Sequence, residues 1–582
     1  MRTVKTDVLV VGAGTAGLTA SALLARQGVR VLTIARHPGT SPQPRALFTN
    51  QRTAEIFRDL GVEEPARAAS TPLAELSNSV LATSLAGMEI ARYRCYGGGE
   101  RMADYAAASP CGLLDLPQHL LEPILLRAAK DNGAEVLFFN ELTAIDQSEH
   151  GVSARVLDRD SGEEYVVEAQ YAIGADGARS RVAELLDFGF VGQSGLRHML
   201  NMWFEADLEQ YTAYRPSFIY VTAQPGETFW VGSGTFFCVR PWKEWVLVSE
   251  YDPTQGEPDI SDAAVTEFAR SLIGDPDVRI EVKGTSKWQV NNVVATEYQR
   301  GRVFLAGDAA HRHPPSGGLG SNTSIQDAFN LAWKLAFVVK GQAGPGLLGS
   351  YHQERQPVGQ QVVDRAVKSM QNMLPLIRAL GFERGQTTED GWKALNDLFA
   401  PGPDAEQRRA DLAAALALQN YRSNALGVEL GHRYVSGAVL DDGTPFREPE
   451  RDPELYYHPT THPGAYLPHA WLEQNHRRVS TLDLAGHGKF TVINGIGGQA
   501  WAEAATKIGA DLGIDLPVHT IGQRCENDDV TGDWAALREI RDNGAILVRP
   551  DRHIAWRAHD LPTDPYRALE SAVRSALALD GH

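Results

Sequence analysis

The chain has 582 residues, 43% of them apolar and 22% charged, which is enough for several domains with large cores and excludes a fibrous or broadly disordered protein. Its formal charge of −18 argues against nucleic acid or an anionic membrane as partner, since a phosphate-rich surface requires a basic face. Cys95, Cys111, Cys238 and Cys525 are scattered with no CxxC pair, so no thiolate metal site, dithiol exchange or disulfide framework is expected, and a reducing cytoplasm is the simplest setting.

In chain order, residues 7–11 read as a buried parallel strand and 18–26 as a helix, with no secretory leader expected ahead of them. Between them lies Gly12-Ala13-Gly14-Thr15-Ala16-Gly17, a GxGxxG turn. Strand before and helix after give this pattern its meaning: Gly12 allows the tight turn, Gly14 lets backbone approach a pyrophosphate, and Gly17 lets helix and strand pack closely. Thr15 and Ala16 place their amides at the positive end of the helix. A second strand, 29–34, runs into Ala35 and Arg36, where an acid would ordinarily hold the adenosine ribose. Neutral Ala35 weakens that grip and leaves a 2′-phosphorylated ligand open.

Residues 171–180 read as a strand, an Asp176-Gly177 turn and a helix beginning near Arg181. Residues 195–294 are rich in aromatic and β-branched side chains in short runs, 218–221, 228–231, 235–238 and 245–248, which read as neighbouring antiparallel strands of an inserted sheet domain. Residues 302–308 form a strand ending in the acid Asp308, followed by the loop Pro314-Pro315-Ser316-Gly317-Gly318-Leu319-Gly320-Ser321-Asn322 and a helix over 323–339. Asp308 is placed to bind a sugar-alcohol hydroxyl, while the loop amides and helix dipole suit an electron-rich ring edge. The apolar part of that helix, 331–339, is interrupted by Lys334 and is too short to span a bilayer.

Helices are expected over 347–418, a Pro/His/Tyr-rich connector over 445–469, and then a compact βα pattern. Its parts are a strand at 490–494, a helix at 500–512, a strand at 518–521, a hairpin of 545–549 with 554–558, and a helix at 565–579. The order and spacing of the three glycine-bearing stretches imply an enzyme built around FAD.

In order and wording these stretches resemble the class A flavoprotein monooxygenases, the single-component aromatic hydroxylases. Ser41-Pro42-Gln43-Pro44-Arg45-Ala46, Thr49-Asn50-Gln51-Arg52-Thr53, Leu114-Asp115-Leu116-Pro117-Gln118 and Tyr214-Arg215-Pro216-Ser217 extend the resemblance to the phenol hydroxylase branch, over essentially the whole chain. The resemblance implies an α/β fold in five parts. A Rossmann-like FAD-binding domain takes residues 1–190, with a substrate-domain excursion at about 75–110, and 296–420. A substrate-binding sheet domain takes 191–295, a connector 421–475, and a thioredoxin-like C-terminal domain lacking CxxC takes 476–582. A packing or dimer-contact role is expected of that last domain.

By the same resemblance, Arg45 and Gln118 contact the pyrophosphate and ribityl regions and Asp308 the ribityl chain or pyrophosphate. Leu319, Gly320, Ser321 and Asn322, with Gly318, meet the isoalloxazine edge, and Pro315 lies by the flavin carbon that takes up oxygen. Asp176 supports FAD and the transient approach of NAD(P)H. The implied activity is NAD(P)H- and dioxygen-dependent hydroxylation of a phenolic ring through a flavin C4a-hydroperoxide, with no metal.

One departure stands out. Where the phenol branch places an Asp or His that handles the substrate hydroxyl, this chain has Leu47, which cannot remove a proton. Asp115, Tyr220 and Arg240 are the candidate replacements, and Leu47, Tyr220, Phe237 and Arg240 the expected pocket residues. Leu47 also keeps open the same chemistry on a polycyclic natural product or a Baeyer–Villiger insertion; a non-catalytic FAD-binding interaction protein is the third reading.

Overall fold

The computed structural model describes residues 2–225, 233–383 and 385–580, so the strand expected at 228–231 lies outside the described residues. Its first layer is a six-stranded sheet in the order Gln299–Arg300, Val303–Leu305, Tyr171–Gly174, Val8–Val11, Val31–Ala35, Glu135–Phe138. All neighbours are parallel except the short first strand. Strands buried on both faces must be apolar throughout, and Val8–Val11 is. The helix Thr15–Arg26 covers this sheet, buried along nearly its whole length and packed against the helix Leu319–Val339.

The second layer is an eight-stranded sheet in the order His311–Arg312, Glu281–Ala295, Phe190–Glu205, Glu244–Tyr251, Gly234–Arg240, Ile219–Thr222, Asn78–Ala82, Glu89–Arg94. The last two strands come from the stretch expected to leave the first domain and join the second. Strand His311–Arg312 follows directly on the Asp308 turn, so the two sheets are tied together beside that turn. A separate three-stranded patch, Phe48–Thr49, Leu114–Asp115 and Thr71–Pro72, lies between the cores, with Leu114 in the first and Phe48 in the second.

The C-terminal sheet has the order Val518–Thr520, Thr491–Asn494, Ala545–Val548, Ile554–Ala558, the first pair parallel and the others antiparallel. Helices Gln499–Leu512 and Pro565–Ala576 pack together on one of its faces, in a core that also takes in Trp333 and Phe337 of the helix Leu319–Val339. The segment expected as a connector divides by burial. Residues 441–454 are mostly exposed, whereas residues 461–470 are buried, with Leu467 and Thr461 fully enclosed. That burial welds the C-terminal unit onto the rest of the chain. Among the described residues no helix is long and apolar enough to cross a membrane.

Candidate active site

The three glycine-bearing turns follow the carboxyl ends of adjacent parallel strands, Val303–Leu305, Tyr171–Gly174 and Val8–Val11, so chain topology gathers them at one end of the sheet. Gly12 has φ +112°, and a Cβ there would stand 2.2 Å from the Ala175 carbonyl oxygen. Only glycine lets the first two turns approach this closely. Beside Gly14 space is open, the nearest atom to an added Cβ being Glu122 Oε1 at 3.7 Å. The helix Thr15–Arg26 has no side-chain cap, so its first amides are left for a ligand.

Asp308 is exposed and its carboxylate makes no hydrogen bond among the described residues. Beyond it, Gly318 at φ +65° starts the long helix Leu319–Val339, again without a side-chain cap. Asn322 fixes this loop: its Nδ2 donates to the carbonyls of Gly318 (2.7 Å) and Phe48 (2.9 Å), and its Oδ1 accepts the Asn50 amide at 3.0 Å. Leu319 is buried, Gly320 and Ser321 half-buried, and Pro315 exposed at the loop's outer edge. Two uncapped helix starts and a free carboxylate at one sheet end fit a pyrophosphate, a polyol and an anionic ring edge, the three polar parts of FAD.

Other expected cofactor residues are placed less directly. Arg45 is exposed, bonded to the Ser41 hydroxyl at 3.3 Å, and its carbonyl accepts the Gln118 amide at 2.9 Å. Gln118 donates to Glu122, which also accepts the Ser41 amide at 2.6 Å. Glu122 is 2% exposed, and burial pushes its carboxyl up against the pull of Gln118 and Ser41. It holds the Arg45 loop beside Gly14 and was missed in the sequence, although its four-residue spacing from Gln118 on one helix face was the available signal. Ala35 is buried at its strand end and Arg36 half-buried, its carbonyl taken by Arg159 at 3.0 Å. Asp176 accepts from Ser180 Oγ and from the amides of Arg181 (2.6 Å) and Val182 (3.1 Å). Its oxygens are committed to the helix Arg181–Leu185, which makes any support it gives a cofactor indirect.

On the candidate substrate side a run of rings leads from Phe237 to Phe48, the residue after Leu47, without bringing Leu47 and Phe237 into contact. Phe237 meets Phe218 (5.9 Å between centroids), Phe218 meets Tyr96 (5.3 Å), and Tyr96 meets Phe48 (4.9 Å), the ring against which Gly318 packs. Phe48, Tyr96 and Phe218 were not singled out in the sequence, because aromatic runs in strands read first as core.

Of the three candidate bases, one has the right surroundings. Asp115 is 1% exposed and neither of its oxygens has a hydrogen-bond partner. Burial first, and then the charge of Glu244, hold its carboxyl well above the ordinary range. Glu244 accepts from Trp203 Nε1 at 2.8 Å and pairs with Arg240 at 3.2 Å. His119, whose ring lies 5.9 Å from Trp203, has a buried Nδ1 without a partner, and burial lowers its pKa. It stands in the first turn of the helix Gln118–Asp131, while Asp115 lies on the preceding strand, so its place beside Glu244 has no local signal in the sequence.

Tyr220 is corrected to a core residue. Its hydroxyl accepts the Ser217 amide (3.1 Å) and bonds the carbonyls of Arg215 (3.1 Å) and Thr212 (3.2 Å), and its ring packs on Trp245. Burial raises its pKa, so it stays protonated and cannot take a substrate proton. Arg240 is also corrected: its side chain is 64% exposed and paired with Glu244, at the end of the strand Gly234–Arg240.

Comparisons with known proteins give the family. Residues 5–366 match the FAD binding domain family, and residues 460–578 match the family described as aromatic-ring hydroxylase, C-terminal. The chain is 46% identical to a 2,4-dichlorophenol 6-monooxygenase of Cupriavidus pinatubonensis, covering 99% of this chain and 97% of that one. It is 43% identical to a phenol 2-monooxygenase of a Pseudomonas species, covering 97% and 92%. Among solved structures, the flavin-dependent monooxygenase PieE, determined with FAD and substrate, superposes with a TM-score of 0.96 at 47% identity, covering 99% of each chain. The chain therefore belongs to the FAD-dependent aromatic-ring hydroxylases, in the phenol hydroxylase branch of the class A flavoprotein monooxygenases.

Proposed function

We propose that this monooxygenase hydroxylates a simple phenol, with Asp115 taking the place that Leu47 leaves vacant in handling the substrate hydroxyl. The observation that carries this reading is the buried Asp115 carboxyl with two unpartnered oxygens, on the strand paired with Phe48, the residue after Leu47. A buried carboxyl without partners is costly unless something polar meets it, and a phenolic hydroxyl supplies that partner. FAD, reduced by NAD(P)H, supplies the oxygen-transfer chemistry when bound, and Gly12, Gly14, Thr15, Arg45, Gln118, Asp308 and the 318–322 loop are the residues proposed to hold it.

The chain's own part is then positional and electrostatic. Phe48, Tyr96, Phe218 and Phe237 give an apolar wall that orients the ring and excludes water. Asp115 accepts the hydroxyl hydrogen bond and, once ionised, draws the proton away, enriching the ring for attack. Glu244, paired with the exposed Arg240, acts on both Asp115 and His119, and through it that proton is proposed to leave.

The strand order and directions of the C-terminal sheet support its reading as thioredoxin-like, without dithiol chemistry. A dimer contact through that unit and a cytoplasmic setting belong to the same proposal.

The test is multiple turnover of purified holoenzyme with phenol and chlorinated phenols under labelled dioxygen, with NADH and NADPH in separate arms. One labelled oxygen in a catechol product, with nicotinamide consumption coupled to it, is the expected result. Nicotinamide oxidation that yields only peroxide with every phenol would refute the substrate assignment.

A further inference from the structure

A chain of fully buried polar contacts runs from the C-terminal unit to the Gly307–Asp308 turn. At the turn, the Gly307 amide donates to Asp327 Oδ2 at 3.0 Å, and His311 Nε2 meets the same oxygen at 2.8 Å. The other Asp327 oxygen accepts Arg355 Nε at 2.8 Å. Arg355 Nη1 donates to the Tyr434 hydroxyl at 3.0 Å, and the Tyr434 ring stacks on His553 with centroids 4.0 Å apart. His553 closes a tight turn in which the Arg549 amide donates to its carbonyl at 2.8 Å.

A second arm runs beside the first. Arg549 donates to Glu354 at 2.6 and 2.8 Å and to Asp551 at 2.6 Å. Glu354 also takes Lys334 at 2.6 Å, and Asn330 bonds both Glu354 (2.7 Å) and Asp551 (3.0 Å). Asn330 and Lys334 lie on the helix that begins at the 318–322 loop, as does Asp327. Three cations and three anions are thus enclosed between the units, none more than 2% exposed. Burial alone would raise Asp327, but the charges of Arg355 and His311 outweigh it and keep its carboxyl below the ordinary value.

Such a network is a poor way to obtain stability, since desolvating each ion opposes the attraction and apolar packing would serve as well. What it provides is fixed geometry, because each group has one arrangement that satisfies its partners. We infer that the C-terminal unit holds the Gly307–Asp308 turn in its cofactor-facing conformation through this relay, with Asp327, Arg355 and Tyr434 as positioning residues for FAD. The inference rests on the reading that this turn meets FAD.

Two measurements test it on purified holoenzyme: the FAD Kd from flavin fluorescence released on dilution, and hydrogen exchange at the Gly307 amide. Tyr434→Phe, which leaves Arg355 Nη1 without its acceptor, is expected to weaken FAD about tenfold and to speed exchange at Gly307. His553→Ala removes the stack and should act the same way, whereas His553→Phe keeps a ring against Tyr434 and should retain wild-type Kd. Exchange in the remote strand Val152–Asp158 should not change, which separates positioning from general loosening.

Asp308→Ala checks the underlying reading, for its exposed side chain has no fold to disturb. If Asp308→Ala leaves the Kd unchanged, the turn does not meet FAD and the inference falls with that reading. If Asp308→Ala weakens FAD while Tyr434→Phe and His553→Ala stay within twofold of wild type, only the relay is overturned. Should Tyr434→Phe fail to fold, the His553 pair decides: equal Kd for Ala and Phe overturns the relay.

Discussion

The carbonyl of Leu47 accepts the amide of Leu116 at 2.7 Å, and this one bond sets Phe48 opposite Asp115 in the short antiparallel pairing. Leu47, standing where an Asp or His was expected by resemblance, is thereby clamped to the strand that carries Asp115. Asp115→Asn preserves size and the pairing but cannot take a proton. Its kcat with phenols is expected to fall by about 10²–10⁴-fold with FAD content unchanged, checked by single-turnover hydroxylation and flavin absorbance. A kcat within threefold of wild type would reassign the base.

The same carboxyl makes a stability prediction with a definite sign. Burial raises Asp115 above its ordinary 3.8, so the folded state holds the proton more tightly than the unfolded chain. Folding stability from this group is complete below the ordinary value and declines as pH rises through the folded one. Wild-type stability relative to Asp115→Asn should therefore fall steadily from pH 4 upward in denaturant titrations. A flat difference would mean that the carboxyl ionises normally in the fold.

Glu429 gives a narrower window. It is buried on the short helix Leu426–Leu430, with Oε2 unpartnered, and burial pushes it up to about 7 despite the help of Asn50 and Arg365. Between its ordinary 4.5 and about 7 the protein should lose stability that Glu429→Gln retains. The variant is expected to match wild type at pH 4 and to exceed it by about 3 kcal/mol at pH 8, at roughly 1.4 kcal/mol per pKa unit. Urea unfolding at the two pH values decides it.

Tyr220 illustrates where sequence reasoning stopped. A tyrosine on a strand facing a pocket and one facing a core have the same neighbours in sequence; only the Ser217 and Arg215 bonds distinguish them. Tyr220→Phe is accordingly expected to cost about 1 kcal/mol of stability and to leave kcat near wild type, by thermal unfolding and turnover.

The glycine turns were legible because each needs a residue type that few other contexts demand, as at Gly12 against Ala175. Their gathering at one sheet end followed from parallel strands whose buried, continuously apolar runs are equally recognisable. Elements long enough to show a period were placed to within a few residues: the helix expected over 565–579 is Pro565–Ala576, and the hairpin strand over 554–558 is Ile554–Ala558. Asp115, His119 and Glu244 lie on three separate elements, and Glu244 acts on both of the others, so no local pattern could reveal that environment. The burial of the connector's stretch 461–470 has no local signal either, since Pro and His punctuate a sequence whether the segment is wet or enclosed.

Gly318 couples the two halves of the candidate site most directly. It adopts φ +65°, and a Cβ there would lie 2.6 Å from Cδ1 and 2.8 Å from Cβ of Phe48, leaving no free space on that side. Phe48 is held in turn by Asn322 through its carbonyl and by the pairing with Asp115. An alanine must therefore displace either the 318–322 loop or the strand that positions Asp115, and adds the cost of a left-handed non-glycine residue, about 1 kcal/mol on top of about 1–3 kcal/mol of overpacking. Gly318→Ala is expected to weaken FAD binding and to raise the peroxide released per nicotinamide consumed, because the cofactor loop and the substrate acid move relative to each other. Gly341→Ala is the control, with φ +70° but nothing within 4 Å of its Cβ, so it carries the backbone strain without the clash. Uncoupling in Gly318→Ala and tight coupling in Gly341→Ala would place the defect at the Phe48 contact; equal behaviour of the two would assign it to backbone strain alone.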